Sequence, residues 1–145
     1  MISAQTSALA LHLSKNSTPT VFTEKPIDWS ALTHKELWLP ESMLSLYGTA
    51  EYEQLSQSQR IKLSHVELLY FVEFGIWLES LFINRLRESV DANDVSPCNM
   101  YNLVIIREEA EHSLMFLDFI DHSGYKRVPI NKKCLRLYQK IWSHT

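Results

Sequence analysis

Residues 66–83 read VELLYFVEFGIWLESLFI: eighteen residues, no lysine or arginine, and only three charges, Glu67, Glu73 and Glu79. A helix that is apolar on every side is built for burial. Burying an ionised carboxylate costs several kcal/mol unless it is paired or bound to a metal. Any fold of this chain must therefore cover this segment and also satisfy its glutamates. The three are six residues apart, so each is turned by about 240° from the last, and they cannot all face one point. Glu79 shares its stripe with Val72, Gly75, Ile76, Phe82, Ile83 and Leu86. Gly75 on that stripe would let another helix approach closely. Glu73 keeps company with Val66, Leu69, Tyr70, Ile76 and Trp77, and predicts a hydrogen bond either to a metal ligand or to a neighbouring helix. Glu67 lies near the start of the helix, where it can reach water. With three glutamates the segment is a poor membrane span.

The rest of the chain punctuates this helix. The 145 residues are one domain's worth. Only three glycines, five prolines and no alternating strand pattern predict an all-α chain. Residues 1–27 are rich in Ser, Thr and Ala without periodicity, and are expected to be a flexible N-terminal arm ahead of a helical domain over 28–145. Short flanking helices are expected around Ser30–Leu37 and after Pro40. Ser56 with Gln59 forms a capping-box pattern opening a helix over 57–90. DANDVSP is a linker, and Ser96 and Pro97 start a second long helix that Gly124 ends near His122. The short connection forces the two long helices to pack antiparallel. A last amphipathic piece runs from Asn131 to about Trp142. Net charge −3 and a pI near 6.1 suggest no nucleic acid and no anionic membrane as partner. Cys98 and Cys134 sit in no metal spacing and read as reduced thiols. No basic segment precedes the run Ala8–Leu13, which His12 interrupts, so a signal peptide is not expected and the reading is cytoplasmic.

REEAEHSLMF, residues 107–116, repeats the conflict. Leu103-Val104-Ile105-Ile106 precedes it and Leu117-Asp118-Phe119-Ile120 follows. Around Glu109, the same helix face holds Asn102, Ile105, Ile106, His112, Ser113 and Phe116. A carboxylate and an imidazole thus stand one turn apart on a core face, while Glu108 and Glu111 fall toward Arg107 and Asp118. One reading is a hydrogen-bonded glutamate–histidine pair. The other is half of a carboxylate-bridged di-metal site of the ferritin-like bundles, where each half gives one Glu from one helix and Glu-x-x-His from the next. Carboxylates with imidazole suit iron or manganese. Glu79 stands thirty residues before Glu109, room for two helices and a short connection, with Glu73 as the alternative first ligand.

The stretch LPESMLSLYGTAEYEQLSQSQRIKLSHVELLYFVEFGIWLESLFINRL, with REEAEHSLMF after it, resembles the N-terminal half of the p-aminobenzoate N-oxygenase-type diiron proteins over residues 36–122. LSHVE, GIWLE and EEAEHSLMF carry most of the likeness. The resemblance implies metal ligands at Glu79, Glu109 and His112, with Glu109 bridging two irons, and a reaction of dioxygen with a small aromatic amine or a related substrate.

The departure from that family lies in the second half, which brings another glutamate, a second Glu-x-x-His and an additional histidine. Here no glutamate follows Glu111, and only His122 and His144 follow His112. The chain therefore offers three ligands. Either it is a truncated product, or a second chain completes the site, as a homodimer or as a complementary C-terminal half. Two iron ions are expected if the site is completed, with manganese possible. Without completion, a non-catalytic helical interaction protein is the alternative, and the chain by itself is not expected to be a competent oxygenase. Tyr70, Phe74, Phe82, Met115 and Phe116 are candidate pocket walls whose plainer role is core packing.

Overall fold

The computed structural model describes residues 3–17, 27–127, 130–131, 133 and 136. Among the described residues four α-helices can be given bounds: α1 (Ala4–Asn16), α2 (Ala50–Glu53), α3 (Gln57–Glu88) and α4 (Pro97–His122), with 3₁₀ turns at Trp29–Ala31 and Glu41–Met43. No strand occurs among the described residues, and the all-α class is that of a ferritin-like helical fold. None of their helices is long and apolar enough to cross a membrane.

The long helices begin where the sequence signals stand. Ser56 N donates to Gln59 Oε1 at 2.8 Å and Gln59 N donates back to Ser56 Oγ at 3.4 Å, the reciprocal bonds of a capping box. Ser96 Oγ accepts from Asn99 N at 3.3 Å ahead of Pro97. Gly124, at φ +70°, follows α4, in a conformation that a side chain would oppose. The buried Asn99 ties down the linker. Its Nδ2 donates to Asp91 O and Asp94 O at 2.8 and 2.6 Å, and its Oδ1 accepts from Asp91 N at 3.0 Å.

Short flanking helices are present, and three local details differ from the expected ones. The short helices near residue 30 and after Pro40 are only three-residue 3₁₀ turns, and Pro40 stands just before its turn, at ψ 142°. The first stretch holds a thirteen-residue helix, α1, inside the expected arm. Ser3 caps it by accepting from Thr6 N at 3.1 Å, and alanine and leucine supply the propensity. Periodicity was the wrong signal there. The expected helix from Asn131 to about Trp142 lies largely outside the described residues, as do Cys134 and His144.

The chain forms two compact units, residues 1–28 with 75–119, and residues 29–74 with 120–145. In the first, α3 and α4 run antiparallel. Asn102 meets Ser89 at 3.1 Å, His112 meets Glu79, and Phe116 lies on Gly75. Each step down α3 is matched by an equal step up α4. The helix α1 is fastened here by Ser17, whose hydroxyl donates to Glu108 and accepts from Arg107. No apolar side chain between residues 75 and 119 is fully buried. In the second unit Leu44, Tyr52, Leu69, Val72 and Ile120 make a buried core.

Candidate metal centre

Glu79 comes from α3, and Glu109 and His112 from α4, all within the first unit. One ligand atom from each can be chosen so that all lie within 4.8 Å of one another. His112 Nδ1 stands 3.1 Å from Glu109 Oε2 and 3.6 Å from Glu79 Oε1. The i, i+3 spacing on α4 accounts for the first contact. The second follows from the antiparallel register, which Gly75 allows by letting Phe116 rest against the α3 backbone. A Cβ built on Gly75 would stand 2.8 Å from Phe116 Cε2.

The carboxylates are largely withdrawn from water, with side-chain exposures of 13% for Glu79 and 21% for Glu109, while His112 is 48% exposed. Burial, and then the hydrogen bond and charge of Glu109, push the Glu79 carboxyl from 4.5 up to about 7, while His112 pulls it the other way. Below that pH a proton on Glu79 lets the two acids stand side by side. A divalent cation answers the same need with more charge. Two hard carboxylates and a borderline imidazole converging on one point are donors of the kind iron and manganese accept, so the group fits such an ion.

Glu73 is engaged elsewhere. Only 5% exposed, it accepts from Arg127 Nε and Nη2 at 2.7 Å each, a bidentate pair inside the second unit. This leaves Glu79 as the α3 carboxylate that meets Glu-x-x-His. The hydrogen bond expected from Glu73 to a metal ligand or a neighbouring helix is made instead to the segment after α4. Glu67, expected to reach water, accepts from Ser45 N at 2.9 Å and Ser45 Oγ at 2.5 Å. Tyr70 and Phe74, named as possible pocket walls, line a groove of about 540 Å³ in the second unit with Met43, Val66 and Phe71. Phe116 borders the ligand cluster through its place on Gly75.

His65 was missed altogether. Only 1% exposed, it faces Tyr125 Oη with Nδ1 at 2.9 Å and Glu36 O with Nε2 at 2.7 Å, and Trp38 stacks on its ring at 3.9 Å. Both nitrogens are satisfied when Nε2 carries the proton and Tyr125 donates. This histidine pins the 29–47 segment onto α3. The signal was the histidine in LSHVE, three residues before the apolar run Leu68–Val72.

The family P-aminobenzoate N-oxygenase AurF matches residues 3–144, nearly the whole chain, and the chain belongs to that family. No curated protein and no solved structure matches it. The protein is thus a relative of the diiron oxygenases, and iron is the metal its family uses.

Proposed function

We propose that Glu79, Glu109 and His112 are iron ligands, and that this chain supplies one half of a non-haem diiron oxygenase site of the arylamine N-oxygenase kind. The observation that carries this reading is the convergence of the three donors, with Glu73 excluded by its arginine. Glu109 stands within hydrogen-bonding reach of both Glu79 and His112, and by its resemblance to the family it would be the carboxylate shared between the metals. Bound iron would supply the redox capacity to activate dioxygen toward a small aromatic amine. The residues of this chain would hold the metal, keep Phe116 and the α3 backbone packed against its inner side, and leave the His112 side open. Metal binding requires Glu79 to lose its proton.

Three ligands do not fill a di-metal site, and no glutamate follows Glu111. The remaining ligands come from outside these 145 residues, from a complementary C-terminal half or from a second chain. The incomplete burial of residues 75–119 supports the same reading. Standing alone, the chain binds one metal weakly and turns over little or no amine. The test is anaerobic titration of the purified chain with ferrous iron and with cobalt(II), read by metal content and by cobalt absorption. We expect at most one metal per chain, lost on Glu109→Ala and on His112→Ala. Full affinity in the Glu109→Ala variant overturns the ligand assignment. Robust oxidation of an aromatic amine by chain shown to be monomeric overturns the half-site.

A further inference from the structure

One face of the second unit holds chemistry that the metal centre does not use. Glu67, Tyr70, Phe71 and Phe74 follow one another on α3 at i, i+3, i+4 and i+7, so one side of that helix carries a carboxylate and three aromatic rings. All four line the groove of about 540 Å³ that α3 makes with the 39–45 segment. Pockets that take small organic molecules are of this size, about 300–1,000 Å³. Apart from Ser45 the other walls are apolar. Several stand well out of the core, with Met43 66% exposed, Phe71 64% and Tyr70 44%.

Glu67 gives this groove its charge. It is partly buried, and Ser45 fixes it by giving one hydrogen bond to each carboxylate oxygen, from its N and from its hydroxyl. Those donors are neutral, so they orient the negative charge without cancelling it. Among the described residues no lysine, arginine or histidine lines the groove, and none is paired with Glu67. An ionised carboxylate can accept about four hydrogen bonds, so acceptor capacity remains. The faces of aromatic rings are negative too, and attract a cation that lies over them.

We propose that this groove binds a free organic cation, with an ammonium head at Glu67 and an apolar aryl or alkyl body along Tyr70, Phe71 and Phe74. Each other occupant leaves something unanswered. An anion would meet the charge of Glu67 and the negative ring faces. A neutral apolar molecule would cover the rings and strand the carboxylate away from water. An inorganic cation would satisfy Glu67 and leave the apolar walls empty. An amine with an apolar body answers both needs. The inference does not rest on the metal reading, since the groove contains none of Glu79, Glu109 and His112.

The test is calorimetric titration of the full chain at neutral pH with probes that share one body: phenylbutylamine, a cation there, neutral phenylbutanol, and the anion phenylbutyrate. We expect the amine to bind about tenfold more tightly than the alcohol, the combined effect of a part-exposed ion pair and a cation–π contact, and the acid to bind least. Glu67→Gln should bring the amine down to the level of the alcohol. Ser45→Ala removes one of the bonds that fix Glu67 but keeps its charge, so the preference for the amine should survive, which separates lost charge from a disturbed groove. Phe71→Ala should weaken amine and alcohol alike, and its side chain is too exposed to hold the fold together. Glu109→Ala should leave amine binding as it is, which rules out pairing of the probe with the carboxylates of the metal centre. Far-UV dichroism of each variant should match the parent. Equal binding of amine and alcohol by the parent overturns the proposal, as does a preference that outlasts Glu67→Gln or is lost with Glu109→Ala. Absence of binding at millimolar amine overturns it as well, whether the groove is then covered by another part of the chain or by another protein.

Discussion

Gly75 can be tested by one methyl group. In Gly75→Ala two effects oppose each other. Alanine in a helix interior is favoured over glycine by about 1 kcal/mol. The added Cβ, however, stands 2.8 Å from Phe116 Cε2 and 3.3 Å from Cδ2 and Cζ, whereas carbon atoms rest comfortably at about 3.5–4.0 Å. The ring must retreat by about 0.7 Å, or α3 and α4 must part at this level. Overpacking of this kind typically costs 1–3 kcal/mol. The difference is a net loss of about 1 kcal/mol, which for a chain of this size lowers Tm by roughly 3 °C. The effect on metal binding should be larger in proportion. Phe116 follows His112 by one turn of α4, so parting the helices there separates Glu79 from both α4 ligands. The assay is thermal unfolding followed by cobalt(II) titration of the same sample. Phe116→Leu in the alanine background should recover part of both losses, a coupling that a double-mutant cycle reads directly. If Gly75→Ala gains the full propensity term and leaves cobalt affinity unchanged, Gly75 does not set the distance between the helices and the argument fails.

The Glu79 carboxyl, raised by burial and by Glu109 from 4.5 to about 7, contributes stability to the metal-free chain that is fully present below pH 4.5 and lost as pH rises through about 7. Urea unfolding across that range should show the decline, and Glu79→Gln should flatten it. Metal affinity should run the opposite way, strengthening as pH rises through 7 with release of a proton, which calorimetry in two buffers detects. Arg127→Ala strands the buried Glu73 carboxylate and should cost about 1–3 kcal/mol, discounted from a fully buried pair because the arginine is half exposed. Glu73→Leu should cost less, because it strands no charge, and denaturant midpoints will rank the two. Tyr125→Phe removes the donor to His65 Nδ1 and should cost about 1 kcal/mol while leaving cobalt binding unchanged.

The parts of the fold legible in the sequence are those specified by local chemistry. Ser56 with Gln59, Ser96 before Pro97, and Gly124 each act within a turn, and each marks a helix end in the structure. Gly75 and Glu79 were legible because the i, i+4 stripe links them on one face. What could not be read depends on which distant residue arrives. Nothing within six residues of Glu73 says that Arg127 will cap it, or that Ser45 will take up Glu67. Periodicity failed for α1 for a different reason. That helix stands on propensity and a serine cap, and buries only Ala10, so it draws no apolar stripe to detect. The knot of His65, Tyr125 and Trp38 was invisible because its three members lie on three separate segments.

Two shortfalls fall on the same residues. Between Gly75 and Phe119 no apolar side chain is fully buried, and in that same range the ligand set stops at three, with His112 half in water. A self-contained helical hairpin would not show both. Helices that pack on this side would cover the apolar face and could bring carboxylates and histidines to the open side of His112, so one addition would remedy both. The exposed Met100, Leu103, Leu114 and Leu117 lie on the far side of α4 and hold no ligand. Leu114→Glu should therefore spare cobalt binding, whereas Glu109→Ala should abolish it. If Leu114→Glu weakens cobalt binding as much as Glu109→Ala does, the two faces of α4 are not independent and the ligand assignment fails.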